Sequence, residues 1–427
     1  MQKTFYSHSF GCRVNQAEKE ALDKQLSSLG YRFDPQNPDI YIINSCAVTH
    51  KAEREARQLV YQIRRSYPDI KIVVTGCAAT NWLKRGVDVP EIDYLVDNQN
   101  KEYIAELITK QVDTQEPQQH TSQPVVVPDK YTKSGRIIIK IQDGCNRFCS
   151  FCIVPYLRGL PKSRSTEAII QHINEADPST KEVILTAINT EAFGYDSKES
   201  FVNLLTQVVE QTTVPRISFG SIHPWSFRDE FFEAYAKLIP ARRLVNFFHI
   251  PLQSGCNKIL TLMKRGYTRE EFLQKLDRLN AMEPFTFIGT DIIVGYLEET
   301  DKDFEDTYDF LSRAPISKFH IFRFSKRQHT AAFHMAKRLM EPTPDAKLKR
   351  AKALAELNKR KYNTFLESHV GNRFSALILE KGEDGYQHAL LSNQMAAIIK
   401  VGGDKVGEIV DVSVEEYKEG KLVGSVA

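Results

Sequence analysis

Three cysteines, Cys145, Cys149 and Cys152, fall within eight residues of sequence in the stretch QDGCNRFCSFCIVPYLRG. Three thiolates at that spacing can wrap a single metal centre. A structural zinc site ordinarily takes four ligands, commonly from Cys-x-x-Cys pairs, and no fourth Cys or His lies nearby in the sequence. Iron–sulfur clusters are held by cysteine thiolates, and a 4Fe–4S cluster with three of them leaves one iron open to a small molecule. An iron–sulfur centre is the leading reading, with zinc or plain buried thiols as alternatives. A second set, Cys12, Cys46 and Cys77, is spread at spacings of 34 and 31 residues. The seventh cysteine, Cys256 in PLQSGCNKIL, stands alone. It reads as a buried thiol, Cys being among the most often buried residue types.

The elements that must position these thiols follow from hydrophobic periodicity. Cys12, Cys46 and Cys77 each follow an apolar strand candidate: KTFYSHSF, DIYIINS and KIVVTG. Helix-periodic stretches such as NQAEKEALDKQLSSLG, ending on Gly, separate them. Alternating strand and helix implies an open, mostly parallel sheet, whose loops at the strand carboxyl ends converge on one edge. This α/β domain is expected over residues 1–110. The Gln-, Pro-, Thr- and Ser-rich segment 111–134 reads as a linker. Six further strand candidates follow: RIIIKIQ, EVILTAI, RISFGSI, NFFHIPL, FIGTDIIVG and KFHIFRF. With the helical stretches between them they predict a partial (β/α)6 barrel over 135–362, an open Rossmann-like sheet being the alternative. Short strands broken by Gly, Asp and Asn predict a small all-β barrel over 363–427.

A length of 427 residues suits two to four domains at about 150 residues each. Hydrophobic residues at 42% and charged residues at 26% are ordinary globular values and exclude a collagenous, low-complexity or wholly disordered chain. No apolar run approaches the roughly 18 residues that span a bilayer. The start, MQKTFYSHSF, lacks the basic and apolar regions of a secretory signal. The thiols are therefore expected reduced, in a cytoplasmic protein without membrane attachment. The net charge of +3 hides an uneven distribution: Ala336–Tyr362 carries nine Lys/Arg against three Asp/Glu, and Thr364 onward six against ten. Lys347, Lys349, Arg350 and Lys352 are expected to meet RNA phosphates, with a solvated helix face as the alternative.

Cys-x-x-x-Cys-x-x-Cys at the mouth of the first strand of a partial barrel resembles the radical S-adenosylmethionine (SAM) superfamily. The resemblance implies that the open iron chelates SAM and that one-electron reduction cleaves it to methionine and a 5′-deoxyadenosyl radical, the protein contributing ligation, orientation and exclusion of water. The blocks FGCRVNQAE, INSCAVTHKAE and VTGCAAT resemble those of the radical SAM methylthiotransferases, over nearly the whole chain. That implies an N-terminal α/β domain, a radical SAM barrel and a C-terminal TRAM β-barrel. It also implies two 4Fe–4S clusters, an auxiliary one on Cys12, Cys46 and Cys77 and the radical SAM cluster on Cys145, Cys149 and Cys152. By the same resemblance, IVPYLRGLPKSRS places Arg158 and Arg164 near cofactor or substrate, where a guanidinium fork suits carboxylate or phosphate. HIPLQSG places Gln253 and Ser254 at SAM, and GTDIIVGYLEET places Gly295 at its adenine. Three blocks depart from the family: Leu297 and Glu298 replace the usual Pro-Gly, FRFSKRQHTAAF keeps Ser325, Arg327 and Thr330 without the prolines and glycine, and Ala187 replaces a common glycine. None of these touches the six cysteines.

Within the family, GCRVNQ resembles the branch that modifies tRNA carrying threonylcarbamoyladenosine next to the anticodon. The alternatives are methylthiolation of isopentenyladenosine tRNA or of a ribosomal-protein aspartate, and, from a different class, an RNA-binding protein whose clusters serve structure or redox sensing. Reductive cleavage of SAM separates enzyme from binding protein. The resemblance implies that one SAM methylates a sulfur species at the open iron of the auxiliary cluster and a second yields the radical that abstracts hydrogen from carbon 2 of the adenine. The implied partners are the tRNA anticodon stem-loop, an electron donor such as flavodoxin or ferredoxin, and a sulfur donor the residues leave unspecified. No membrane tail of the kind found in the eukaryotic members follows KLVGSVA, so a bacterial-type enzyme is expected.

Overall fold

The computed structural model describes residues 2–111 and 135–427, so the expected linker lies, beyond Gln111, outside the described residues. The described chain forms two compact units. The first holds the residues up to 111 together with Gly144–Arg147 and Cys152–Leu160; the second holds 135–143, Phe148–Phe151 and Pro161–Ala427. Among the described residues no helix is long and apolar enough to cross a membrane.

In the first unit, β1 (Thr4–Ser9), β2 (Arg32–Phe33), β3 (Ile40–Ser45), β4 (Lys71–Thr75) and β5 (Tyr94–Leu95) form one sheet in the order β2-β1-β3-β4-β5. Every pairing is parallel. A parallel sheet is covered on both faces, and β3 is accordingly buried along its whole length. Tyr41 and Ile43 pack with Ala56, Val60 and Trp82 on one side. Ile40 and Ile42 pack with Leu26, Ile104 and Ile108 on the other. These partners come from α1 (Arg13–Ser28), α2 (His50–Ser66), α3 (Gly76–Arg85) and α4 (Ile104–Gln111). Thr49 starts α2 by accepting from the Ala52 N–H (3.1 Å), the usual work of an N-cap hydroxyl. Leu157 of α5 (Val154–Arg158) joins the first of these cores.

The second unit contains β6 (Arg136–Asp143), β7 (Lys162–Ser163), α6 (Thr166–Asn174), β8 (Glu182–Ala187), α7 (Phe201–Gln211), β9 (Arg216–Phe219), α8 (Asp229–Leu238), β10 (Phe247–His249), α9 (Asn257–Leu262), α10 (Arg269–Met282), β11 (Phe287–Val294), α11 (Asp301–Arg313), β12 (Lys318–Arg323), α12 (Ala331–Met335) and α13 (Pro344–Glu367). Two sheets, β7-β6-β8-β9 and β10-β11-β12, are joined by a parallel bridge between Ser221 and His249. The long strands run parallel and follow chain order without reversal. That is a partial barrel, since a doubly wound sheet reverses its order at the centre. Alternation sorts the side chains. Ile139, Ile141, Val183, Leu185, Ile217, Phe219, Phe248, Ile288, Ile292 and Phe319 face the helices in one core. Lys140, Thr186, Ser218, His249, Asp291 and His320 occupy the other, inner face.

The C-terminal strands β13 (Arg373–Lys381), β14 (Tyr386–Leu391), β15 (Ala396–Lys400), β16 (Ile409–Lys418) and β17 (Lys421–Val426) close into a barrel in the order β13-β14-β15-β17-β16, consistent with a TRAM-like domain. Its core of Phe374, Ile378, Leu391, Ile399, Val412 and Leu422 also takes in Phe287 from β11. Arg216 ties the two barrels, donating to Leu390 O (3.0 Å) and Leu391 O (2.9 Å) while its Nε meets Glu182 (3.1 Å). Burial would push the Glu182 carboxyl up, but Arg216 and Arg136 hold it below its ordinary value. Breaking such a buried pair leaves an uncompensated charge, so Arg216→Met should cost about 3–5 kcal/mol in urea unfolding. Because the folded-state pKa is lowered, Glu182's contribution is present above the ordinary value of 4.5 and lost as pH falls through the folded value. The variant should lose much of that acid dependence; an unchanged urea midpoint would refute the assignment.

Candidate functional site

Each cysteine of the first unit sits where a parallel strand ends. Cys12 follows β1 and caps the start of α1; Cys46 follows β3 directly; Cys77 lies in the first turn of α3, just beyond β4. Cys46 and Cys77 are buried, and all the cysteines are free thiols. Burial, together with the neighbouring Cys77 and Cys12, pushes the Cys46 thiol up to about 12, so the sulfurs feel one another. Glycine is required beside them. Gly11 holds φ +90°, and a Cβ there would lie 2.8 Å from the Cys46 sulfur; Gly76 holds φ +93°, and its Cβ would lie 2.3 Å from Ser45 O.

A polar frame surrounds the triad. Arg158 donates to Glu18 Oε1 (3.0 Å) and Asn15 Oδ1 (2.7 Å). Lys101 donates to Glu18 Oε2 (2.5 Å) and Asn44 Oδ1 (3.3 Å). Asn15 in turn donates to Phe10 O (2.9 Å) and Ser45 O (3.0 Å), the residues leading into Cys12 and Cys46. Asn98 Nδ2 lies 3.7 Å from the Cys77 sulfur. Sequence reasoning passed over Asn15, Glu18, Asn44, Asn98 and Lys101. The signal for the first two was present, since Asn15 and Glu18 stand three apart and so share one face of α1. Arg158, expected at SAM, spends its guanidinium on this frame.

The Cys145–Cys152 loop follows β6, with Cys149 buried and Cys145 and Cys152 half-buried. Arg265 Nη1 donates to the Cys149 sulfur (3.2 Å) and Nη2 to Pro251 O (2.7 Å), while its guanidinium stacks on Trp225 at 4.5 Å. Ser150 Oγ lies 2.7 Å from both Leu262 O and Tyr296 Oη. Of the other residues expected at SAM, Gln253 has φ +82°; its N–H donates to Asp291 O (2.8 Å) and its carbonyl accepts from Ile293 (2.9 Å). Ser254 is buried, its hydroxyl accepting from Cys256 N (3.2 Å). Gly295 donates to Glu299 Oε1 (2.9 Å) and faces the Lys347 side chain. Arg164 is held by Ala168 O and His172 on α6. Cys256 is buried, its thiol facing Asp303 (3.4 Å) and pushed up by burial.

The departures from the family pattern resolve locally. Glu298, where the family has glycine, adopts φ +60° and is held by two hydrogen bonds with the Met340 backbone, at 2.8 and 2.5 Å. Thr330 caps α12 through Phe333 N (3.3 Å). The basic stretch requires a correction. Lys347 and Arg350 are buried: Lys347 pairs with Glu341, and Arg350 pairs with Glu299 (2.7 Å) and Asp301 (2.9 Å). Both point inward because the i, i+3 and i+4 positions of α13 that meet β11 and β12 include them. Lys349 and Lys352 are exposed.

On the inner barrel face, His249 Nε2, Asp291 Oδ1 and His320 Nδ1 lie within 4.8 Å of one another, a spacing that could hold a cation. Burial would raise the Asp291 carboxyl, but hydrogen bonding by the two imidazoles holds it well below the carboxylate range.

Residues 139–311 match the radical SAM superfamily, and residues 4–96 match the uncharacterized protein family UPF0004. The partial barrel is shared with the radical S-adenosylmethionine methyltransferase TsrM from Kitasatospora setae, solved with cobalamin and a 4Fe–4S cluster bound, at TM-score 0.56 and 14% identity, covering 79% of this chain and 75% of that one. Two similar proteins are the threonylcarbamoyladenosine tRNA methylthiotransferases MtaB of Aquifex aeolicus (32% identical, covering 95% of this chain and 98% of that one) and Bacillus subtilis (32%, 97% and 95%). A third is the tRNA-2-methylthio-N(6)-dimethylallyladenosine synthase of Natranaerobius thermophilus (31%, 99% and 97%). The fold and the thiol loop define a radical SAM enzyme. The chain belongs to the radical SAM methylthiotransferase family, and its cofactors are two 4Fe–4S clusters and SAM.

The residues fit those cofactors. Free thiols stand as two sets of three, each able to leave one iron open. Cys12 and Cys77 lie at helix N-termini, and a charged donor addresses Cys149. A thiol pushed up to about 12 is far less ionised near neutral pH than an ordinary thiol. In metal-free protein at about pH 8, Cys46 should therefore alkylate with iodoacetamide clearly more slowly than an ordinary exposed thiol, the lower ionised fraction being only partly offset by the greater nucleophilicity of a high-pKa thiolate. Peptide mapping by mass spectrometry reads this; rapid labelling at Cys46 would contradict the burial argument.

Proposed function

We propose that this enzyme adds a methylthio group to carbon 2 of N6-threonylcarbamoyladenosine next to the tRNA anticodon. The observation that carries the reading is the convergence of Cys12, Cys46 and Cys77 at strand ends in a chain that also bears the Cys145/Cys149/Cys152 loop. In this reading Cys12, Cys46 and Cys77 hold the auxiliary cluster and Cys145, Cys149 and Cys152 the radical SAM cluster. When bound, these groups supply one-electron cleavage of SAM and a sulfur to be methylated. The protein's own residues ligate, orient and exclude water. Asn15, Glu18, Lys101 and Arg158 hold the strand ends around the first triad. Arg265 fixes Cys149 and the Pro251 turn leading to Gln253 and Ser254, which with Gly295 form the SAM region; Arg158 serves the auxiliary side.

The proposed division of labour is 1–110 for the auxiliary cluster, 111–134 as linker, 135–362 for radical chemistry and 363–427 as TRAM-like barrel. The setting is cytoplasmic, and a flavodoxin- or ferredoxin-type protein delivers electrons. Resemblance at GCRVNQ and the identity to the two MtaB proteins favour the threonylcarbamoyl branch.

Anaerobically reconstituted protein should bind about eight irons. Changing Cys145, Cys149 and Cys152 together to Ala should halve the iron and abolish 5′-deoxyadenosine formation. Changing Cys12, Cys46 and Cys77 should halve it while SAM cleavage continues without methylthiolation. Mass spectrometry of tRNA nucleosides from a deletion strain, with and without the gene restored, should show loss and return of the methylthio derivative; its persistence in the deletion strain rejects the reading. The joint substitution K349Q, K352Q and K359Q should weaken tRNA binding and lower the salt slope by about 0.9 per lost phosphate contact, leaving iron content unchanged. An unchanged slope would make these lysines a solvated face.

A further inference from the structure

The proposed substrate differs from its relatives by what hangs on N6 of the adenine: a urea, a hydroxyl and a carboxylate in place of a hydrocarbon or a hydrogen. A residue that reads this group must lie on the inner barrel face or its rim, be accessible to a base carried on a large RNA, and have its own polar atoms pre-aimed.

His320 meets these conditions. It lies on β12, which pairs with β11 alone among the described strands, and it is exposed. Its Nδ1 lies 3.3 Å from Asp291 Oδ1, and His249 Nε2 lies 3.1 Å from the same oxygen. An ionised carboxylate only accepts, so the imidazole nitrogens facing it carry the protons. Ser221 Oγ, 2.9 Å from His249 Nδ1, completes the chain as donor. In the neutral ring this leaves Nε2 of His320 as an acceptor whose orientation is set by Asp291. The chain is contiguous with the SAM region, because Gln253 pairs with the strand carrying Asp291 and Arg265 joins Pro251 to Cys149. His320 also lines an open pocket of about 590 Å³ with Phe319, Phe322, Arg323, Ala355 and Asn358.

We propose that His320, anchored by Asp291, is the residue that reads the N6 substituent, accepting a hydrogen bond from its urea N–H or hydroxyl. This inference rests on the substrate reading above and deepens it. A site that hydrogen-bonds a polar group discriminates strongly against analogues lacking it, because its own polar atoms are then left unpaired. An isopentenyl group offers no such partner.

The test uses reconstituted full-length enzyme and anticodon stem-loop RNAs bearing threonylcarbamoyladenosine, adenosine or isopentenyladenosine. Anisotropy gives Kd, and turnover gives KM and kcat. Wild type should favour the threonylcarbamoyl RNA by about a hundredfold or more in kcat/KM. His320→Phe keeps an aromatic ring at an exposed position and should cut that preference at least tenfold through KM, with Kd for the unmodified RNA within about twofold of wild type. His320→Asn, which retains an acceptor, should recover part of the preference. A wild-type preference that survives His320→Phe overturns this inference alone. A wild type that does not distinguish the three RNAs overturns both it and the substrate reading. Stoichiometric zinc lost on Asp291→Asn would assign the His249–Asp291–His320 cluster to a metal and overturn it as well.

Discussion

Three thiols brought together repel as soon as they ionise, and that repulsion is the constraint around which the first unit is arranged. Cys46 feels it on top of burial, the two together pushing its thiol up to about 12. The architecture answers with position and dipole. Parallel strands deliver the sulfurs to one edge, two of them onto helix N-termini where partial positive charge is available. The room is made by glycine at Gly11 and Gly76, where any side chain would collide with a sulfur or a carbonyl. Arg158 and Lys101 converge on Glu18, so the residues that brace the triad carry charges that are themselves paired.

In the second unit the organising rule is strand alternation. Residues facing the helices are almost uniformly apolar and form one large core. Their neighbours in sequence face inward and are polar, with Glu182, Arg216 and Ser218 at the strand beginnings and His249, Asp291 and His320 further along. The polar groups at the beginnings are spent on structure, anchoring the small C-terminal barrel through Arg216. Those further along lie close to one another, His249 and His320 3.1 and 3.3 Å from Asp291, and still present atoms to the interior. A single periodicity thus separates stability from chemistry along the same strands.

Several residues with functional chemistry proved to be structural. Arg350 and Lys347 carry the charge that made α13 look like an RNA-facing helix, yet both turn inward to Glu299 and Glu341. Their burial follows from helix phase against β11 and β12, which charge counting along a sequence does not register. Glu298 shows the converse. A residue that looks unfit for a turn holds a left-handed conformation there because both its backbone and its carboxylate bond to Met340, far away in the chain. Long-range hydrogen bonds of this kind can outweigh the local strain of a positive φ.

What the amino-acid sequence determined by itself is what periodicity and local spacing encode. These are the strand–helix alternation, the three-part order of elements, and the Cys145/Cys149/Cys152 loop, whose thiols are close in sequence and so must be close in space. It also marked Cys12, Cys46 and Cys77 as strand-end residues, because apolar runs stop just before them. Only the tertiary structure decided that Asn15, Glu18, Asn44, Lys101 and Arg158 form one frame, that Arg265 reaches Cys149, and that His249, Asp291 and His320 meet on one face. These partners come from different elements, dozens of residues apart. Their contacts depend on how the strands are ordered and on the phase of each helix, and neither is a property of any local stretch of chain.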